Sequence, residues 1–354
     1  MFQLHFDNQV FSDPEDFRAD FGSLPDFAES AFTFCRSWLA GEHSFAQQTS
    51  GSTGVPKKID LSREQMQASA MATGDFFGNT SDTKLLCCLN PAYIAGKMVL
   101  VRAMVWNCPI WLVEPTSAPL EQVNFSPDFV AMVPLQAEQS IQHADSLKKL
   151  QTIGNLIIGG AQLSEKLKGE LIEHGIQAWQ TYGMTETVSH IALARISRES
   201  LIYETLPGVE IGQDSRGALW IKSPMSGSGK VQTNDLVELK SERSFSWLGR
   251  TDFVINSGAI KLHPEVLEQR VEPLIQKFFP GARFFFFGEN DEKLGQKLVL
   301  ILESGPDIEK SKKLTAAFAN ILGRFEVPKE VYFSQEFVMT LNGKINRHQT
   351  FDNL

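Results

Sequence analysis

The chain has 354 residues, 42% of them hydrophobic, enough to bury a substantial core and to build two or more domains. Its 33 basic and 42 acidic residues leave a net charge of −9 without a long basic run, which argues against nucleic acid as a partner and means a small anionic ligand needs a local cationic pocket. No apolar stretch reaches the roughly 18 residues of a membrane helix, and the opening "MFQLHFDNQVFSDPEDF" lacks the basic and apolar regions of a secretory leader, so a membrane span and export are both disfavoured.

In chain order, Cys35 is the first of four cysteines; with Cys87, Cys88 and Cys108 it shows no metal-ligand spacing, and two of them adjoin within an apolar run, a pattern that suits the reducing cytoplasm. Next comes "QQTSGSTGVPKKIDLS", residues 47–62. Gly51 and Gly54 allow backbone N–H groups to turn inward, Thr49, Ser50, Ser52 and Thr53 add hydroxyl donors, and Lys57 adds a cation, so the loop reads either as a phosphate cradle or as a polar linker. It is not a Walker loop, because Pro56 precedes the lysine. Ser62 and Gln65 form a capping-box pattern that predicts a helix from Arg63. The short apolar runs "TKLLCCLN", "CPIWLVEP", "DFVAMVP" and "GNLIIGG" predict strands buried on both faces.

Between the first two runs, "NPAYIAGKMVLVRAMVWN" predicts an apolar helix in which Tyr93 and Lys97, one turn apart, face a common pocket. An ammonium there needs an anion, unless the lysine snorkels at the helix start. Ser164 caps a helix over 165–174 that stops at Gly175. From about Tyr203 the pattern changes to hairpins; "SGSGKV" at 226–231 looks like part of a Walker loop but lacks its first glycine and its hydroxyl, and reads as a hairpin loop. After Arg250 follow a helix from Pro264, the strands "RFFFFG" and "KLVLILE", a helix across "IEKSKKLTAAFANIL" and the strand "EVYFS". The expected architecture is α/β: residues 1–250 form a large domain with a mainly parallel sheet and a β-rich subdomain, and residues 251–354 a small α+β domain.

Five stretches occur in a telling order: the loop at 49–57, "TYGMTET" at 181–187, "TNDLVEL" with Asp235, "GRTDFVINSGAIKLHPEVLE" at 249–268, and "LNGKINR" near the C-terminus. Together they resemble the adenylate-forming superfamily of acyl-CoA synthetases, adenylation domains and luciferases. Within it, "YIAGKMVLVRA" and "TYGMTETVSHIALAR" look most like the o-succinylbenzoate-CoA ligases of menaquinone biosynthesis. Family members usually carry a longer region ahead of the phosphate loop, so the 48 residues here imply a curtailed N-terminal part.

The resemblance implies an AMP-forming acid-thiol ligase that uses ATP, Mg²⁺ and coenzyme A on a small carboxylic acid. The loop from Thr49 to Gly54, with Lys57, would hold the β- and γ-phosphates; Gly159 and Gly160 would let adenine lie against the backbone, beside Tyr182 and Gly183. Thr185 would contact the α-phosphate, Glu186 would help hold Mg²⁺, and Asp235 and Arg250 would bind the ribose. Lys344 would act in adenylation, Asp252 would be the hinge of a rotating small domain, and Ser257, Gly258 and Lys261 would form the thiol tunnel. In this reading Lys97 pairs with the non-reacting carboxylate of o-succinylbenzoate. Lys58, Ala259 and Tyr93 depart from the usual pattern, the first two where phosphate and thiol access are concerned. Other aryl- or fatty-acid-CoA ligases, carrier-loading enzymes and a silent adenylate-binding regulator share the outline, and the sequence says nothing of oligomeric state.

Overall fold

The computed structural model describes residues 1–18, 24–48, 58–339 and 345–354. The expected phosphate loop and Lys344 lie outside the described residues. The chain opens with β1 (Gln3–Phe6) and β2 (Gln9–Phe11), a hairpin turned by Asp7 and Asn8 at φ 48° and 61°, a conformation that short polar side chains tolerate. In α1 (Asp26–Leu39), Ala28, Ala31, Phe32, Cys35 and Trp38 recur at helical spacing and are buried. β3 (Ser44–Gln48) and β4 (Lys58–Ser62) make a separate antiparallel ribbon whose last pair, Gln48 with Lys58, brackets residues 49–57.

The capping box forms as expected: Ser62 Oγ accepts the Gln65 N–H, Gln65 Oε1 accepts the Ser62 N–H, and α2 (Arg63–Phe77) follows, ending at Gly78 with φ +68°. Next come β5 (Leu85–Cys87), α3 (Ile94–Trp106), β6 (Pro109–Leu112), β7 (Phe129–Met132), α4 (Pro134–Gln142), α5 (Ala144–Thr152), β8 (Asn155–Ile158), α6 (Glu165–Glu173) and β9 (Ala178–Gly183). The strands from β5 to β9 pair in parallel, with β1 parallel on the outer side of β6. Each apolar run is continuous because its two parities serve different cores. Leu85, Phe129 and Ala131 pack with α1, α2 and α3, whereas Leu86, Val130 and Met132 pack with α4, α5 and α6.

β10 (His190–Arg195), β11 (Tyr203–Thr205), β12 (Glu210–Gln213), β13 (Ala218–Lys222), β14 (Lys230–Ser241) and β15 (Ser244–Arg250) are antiparallel. They are the β-rich part expected from sequence, and they continue the same sheet: its strand order is β12-β13-β14-β15-β11-β10-β9-β8-β7-β5-β6-β1-β2. Beyond the turn Thr251–Phe253 lie β16 (Ile255–Ser257), β17 (Ile260–Leu262), α7 (Pro264–Phe278), β18 (Phe284–Asp291), β19 (Gly295–Glu303), α8 (Ile308–Phe318), β20 (Glu330–Ser334) and α9 (Arg347–Asp352). These strands form a second sheet, β17-β16-β19-β18 with β20 parallel to β19. The phenylalanine run divides its faces: Phe286 packs with α7 and α8, and Phe285 with Phe337 on the other side. Among the described residues all four cysteines are free and buried, and no helix is long and apolar enough to cross a membrane.

Candidate active site

The C-terminal ends of the parallel strands open into a cavity of about 1320 Å³, walled on one side by β14 and β15 and on another by Val266, Gln269, Arg270 and Pro273 of α7. Its floor is made by two glycines after β8. A Cβ on Gly159 would stand 2.1 Å from Thr181 Oγ1, and Gly160 has φ +83°, so the chain passes flat beneath the cavity only because neither residue has a side chain. Gly183, ending β9, is confined by backbone: a Cβ there would lie 2.3 Å from the Ser189 carbonyl oxygen.

At one end of the cavity three predicted residues meet. Tyr182 OH donates to Asp235 Oδ2 at 2.6 Å, and Arg250 Nη1 reaches Asp235 Oδ1 at 3.4 Å across the β14–β15 pair. Burial and then the Asp235 charge push the Tyr182 phenol well above its ordinary value, so it stays a donor. Arg250 Nη2 also donates to Asp252 Oδ2 at 2.8 Å, and Asn234 Nδ2 donates to Asp252 Oδ1 at 3.3 Å. The expected hinge residue is thereby tied to the same arginine as Asp235.

Thr185 and Glu186 line the cavity from the turn Thr185–Thr187. No group of three or more metal-ligating side chains occurs among the described residues, and Glu186 is one of several single carboxylates on the cavity wall. The hairpin of β16 and β17 carries Ser257, Gly258 and Lys261, but does not line the cavity. Gly258, at φ +64°, supplies its left-handed turn position, so the alanine at 259 sits without positive φ.

Tyr93 and Lys97 do not share the expected pocket. Tyr93 is the N-cap of α3 and is 67% exposed; Lys97 Nζ donates to Gln47 Oε1 at 2.9 Å and stands 5.5 Å from the Phe34 ring centre. Burial lowers the Lys97 ammonium, and neither residue lines the cavity. The charged side chain from α3 that does is Arg102, beside Ile94 and Ala95. It is 1% exposed, donates from Nη2 to Ser189 Oγ at 3.1 Å, and leaves Nε without a partner. No carboxylate pairs with it among the described residues, and burial pushes it down to about 10, still charged at neutral pH. Beside it His190, bonded to Thr73 Oγ1 at 3.2 Å, is held neutral by burial and by the Arg102 charge. The signal for Arg102 was present in the sequence: it is the cation in the apolar middle of a helix whose other charge, Lys97, lies near its start, and from the middle it cannot reach water.

A profile of the AMP-binding enzymes matches residues 28–224, more than half of the chain. The chain belongs to the AMP-binding enzyme family. This family member is 38% identical to the acyl-CoA synthetase (AMP-forming)/AMP-acid ligase II-like protein from Dyadobacter fermentans, covering 97% of this chain and 98% of that one, with a TM-score of 0.63. It is 25% identical over 332 residues to the 2-succinylbenzoate--CoA ligase of Staphylococcus aureus, covering 86% of this chain but only 65% of the relative's length. The o-succinylbenzoate CoA synthetase from Bacillus subtilis, solved with the acyl-adenylate intermediate OSB-AMP, shares the fold at 20% identity and a TM-score of 0.71, covering 86% of this chain and 68% of that one. The same synthetase solved with ATP and magnesium ion gives a TM-score of 0.70 at 20% identity, covering 87% of this chain and 69% of that one.

Proposed function

We propose that this family member is an AMP-forming acid-thiol ligase that converts o-succinylbenzoate to its coenzyme A thioester at the expense of ATP, the acid-activating step of menaquinone biosynthesis. The observation that carries the reading is that one cavity has the Tyr182–Asp235–Arg250 cluster at one end and an unpaired buried guanidinium, Arg102, in its wall. The first suits a ribose; the second suits an acid with a carboxylate to spare. The names and bound ligands of the Staphylococcus and Bacillus relatives support the same choice.

A carboxylate oxygen of the acid attacks the α-phosphorus of ATP and pyrophosphate leaves; the thiolate of coenzyme A then attacks the acyl carbon and AMP leaves. Asp235 accepts from the ribose hydroxyls, Arg250 donates to the same sugar, and the Gly159–Gly160 floor takes the adenine. Thr185 donates to the α-phosphate, where charge grows in the first step. Glu186 would hold Mg²⁺, which would neutralise phosphate charge. Lys344 and the loop from Thr49 to Lys57 supply the remaining donors. Asp252 is the pivot about which residues 251–354 turn against residues 1–250, replacing Lys344 by the loop of Ser257, Gly258 and Lys261 for thiol entry. Arg102 takes the place first given to Lys97 as partner of the non-reacting carboxylate, which explains why an unpaired charge is kept in the core. Free buried thiols and a net charge of −9 fit a cytoplasmic enzyme with small-molecule partners.

The test is pyrophosphate release against a panel of mono- and dicarboxylic acids, with and without coenzyme A. Release that requires o-succinylbenzoate, followed by thioester only when coenzyme A is present, is the expected result. Preference for a fatty or simple aryl acid overturns the substrate, and absence of pyrophosphate with every acid overturns the activity.

A further inference from the structure

Glu265, in the first turn of α7, is only 6% exposed. Its carboxyl group accepts a hydrogen bond from the Arg250 N–H, and its Oε2 lies 2.5 Å from where a Cβ of Gly249 would stand. Gly249 has φ +126°, so this strand end needs glycine twice over, for its conformation and for the room that Glu265 fills. Oε2 has no hydrogen-bond partner among the described residues. The charged groups facing Glu265 are Arg250 from β15, Arg347 at the start of α9 and Glu268 on its own helix. Arg347 spends both terminal nitrogens on Glu268, at 2.8 Å each, so its charge offsets the burial of Glu265 only in part. Burial therefore dominates and pushes Glu265 up to about 7. Further along α7, Glu272 Oε2 accepts the Glu165 N–H at 3.0 Å in the first turn of α6, a second contact of α7 with the first sheet's elements.

We propose that Glu265 is a positioning residue: seated behind Gly249, it couples the docking of the C-terminal module to the placement of Arg250 at the ribose end of the cavity. The inference rests on the proposed reading of Asp235 and Arg250 as ribose ligands. When α7 is docked, Glu265 fixes the backbone of the residue whose guanidinium spans Asp235 and Asp252; when the module turns, that anchor leaves. The docked carboxyl holds its proton more tightly than a solvated one. Docking is then most favoured below the ordinary carboxyl value of 4.5, loses ground as pH rises towards about 7, and is constant above. The full change is on the order of 300-fold in the docking equilibrium.

The experiment measures adenosine binding by calorimetry from pH 5.5 to 8 for the parent, Glu265→Gln and Glu265→Ala. Adenosine carries the ribose and no phosphate that would titrate. The parent should lose affinity severalfold up to about pH 7 and then level off. E265Q keeps an acceptor for the Arg250 N–H without a proton to lose, and should bind like the low-pH parent across the range. E265A should be weaker by about tenfold and flat, in line with loss of one anchoring hydrogen bond. An E265Q that keeps the parent's pH profile, or an E265A that matches the parent, overturns the role of Glu265. A parent that binds no adenosine at any pH overturns the ribose reading, and this inference with it. If E265A does not fold, the E265Q profile alone decides.

Discussion

Replacing Arg102 by methionine should move stability and substrate affinity in opposite directions. In the free protein the guanidinium is fully buried, with one hydroxyl partner and an orphan Nε, and burial brings it down from its ordinary value to about 10. That difference corresponds to about 3 kcal/mol of cost at neutral pH, carried by a charge with no carboxylate to offset it. Methionine, unbranched and apolar though shorter, should remove most of this cost, so R102M should melt at a higher temperature than the parent and gain roughly 1–3 kcal/mol. The acid's free carboxylate would then enter a dry site without its partner, a loss of about 2–5 kcal/mol in affinity. Thermal denaturation and o-succinylbenzoate-dependent pyrophosphate release measure the two sides. A neutral analogue lacking that carboxylate should bind parent and variant alike, and the four combinations give the coupling energy. Lys97→Ala is the contrast: it breaks the bond to Gln47 but should leave the coupling with the diacid intact. Coupling near zero at Arg102, or strong coupling at Lys97, refutes the assignment; so does an R102M that is less stable than the parent.

Lys344→Ala should slow adenylation on the order of 100- to 1000-fold while sparing thioester formation from a supplied acyl adenylate; equal loss in both half-reactions argues against two orientations. Asp252→Pro should leave pyrophosphate release largely intact and slow the thiol step, with Asp252→Ala separating backbone stiffness from loss of the bonds to Arg250 and Asn234. Gly183→Ala places a Cβ 2.3 Å from a backbone oxygen and 2.5 Å from His190 Cα, neither of which a rotamer change can clear, so it should cost about 2 kcal/mol or more in denaturant unfolding; a neutral variant would show that β10 shifts freely.

Much of the fold was legible because burial on both faces leaves a plain mark. The four apolar runs read as strands are strands, and the Ser62 and Ser164 caps lie where the side chains accept backbone N–H groups. α1 carried no such mark: its N-cap is Pro25, without a side-chain bond, and its stripe is mostly aromatic and alanine. The continuity of the hairpins with the parallel strands was also hidden, since register between strands far apart in sequence is set by packing and not by local pattern. At the site, motif residues that face each other across adjacent strands, such as Asp235 and Arg250, were found. The sequence offers two cations on one helix, and its pattern alone does not choose between them. Lys97 lies in the first turn of α3, where its stem reaches Gln47 and Phe34; Arg102 lies in the buried middle and has nowhere else to go. Position along the helix, not charge, separates them.

The turn after Glu186 shows why one part of such a site resists reading from sequence altogether. Val188 has φ +64° and ψ −55°, with the Ser189 N–H bonded to the Thr187 carbonyl at 2.7 Å. This is the rare, strained form of γ-turn, and valine is among the residues least suited to it. A strain of roughly 1–3 kcal/mol persists only where the surroundings fix it. Here they do: the Thr187 hydroxyl accepts the Met184 N–H at 3.1 Å and reaches the Ser189 carbonyl at 2.9 Å, while the Val188 side chain is fully buried. The reversal sends the chain from the turn bearing Thr185 and Glu186 straight into β10, so that Ser189 meets the Arg102 guanidinium and His190 packs beside it. Local preference would have put a glycine at 188. The valine stands there because its burial and the flanking hydrogen bonds outweigh the backbone cost, and what the strain secures is the distance between the turn bearing Thr185 and Glu186 and the Arg102 guanidinium in the cavity wall.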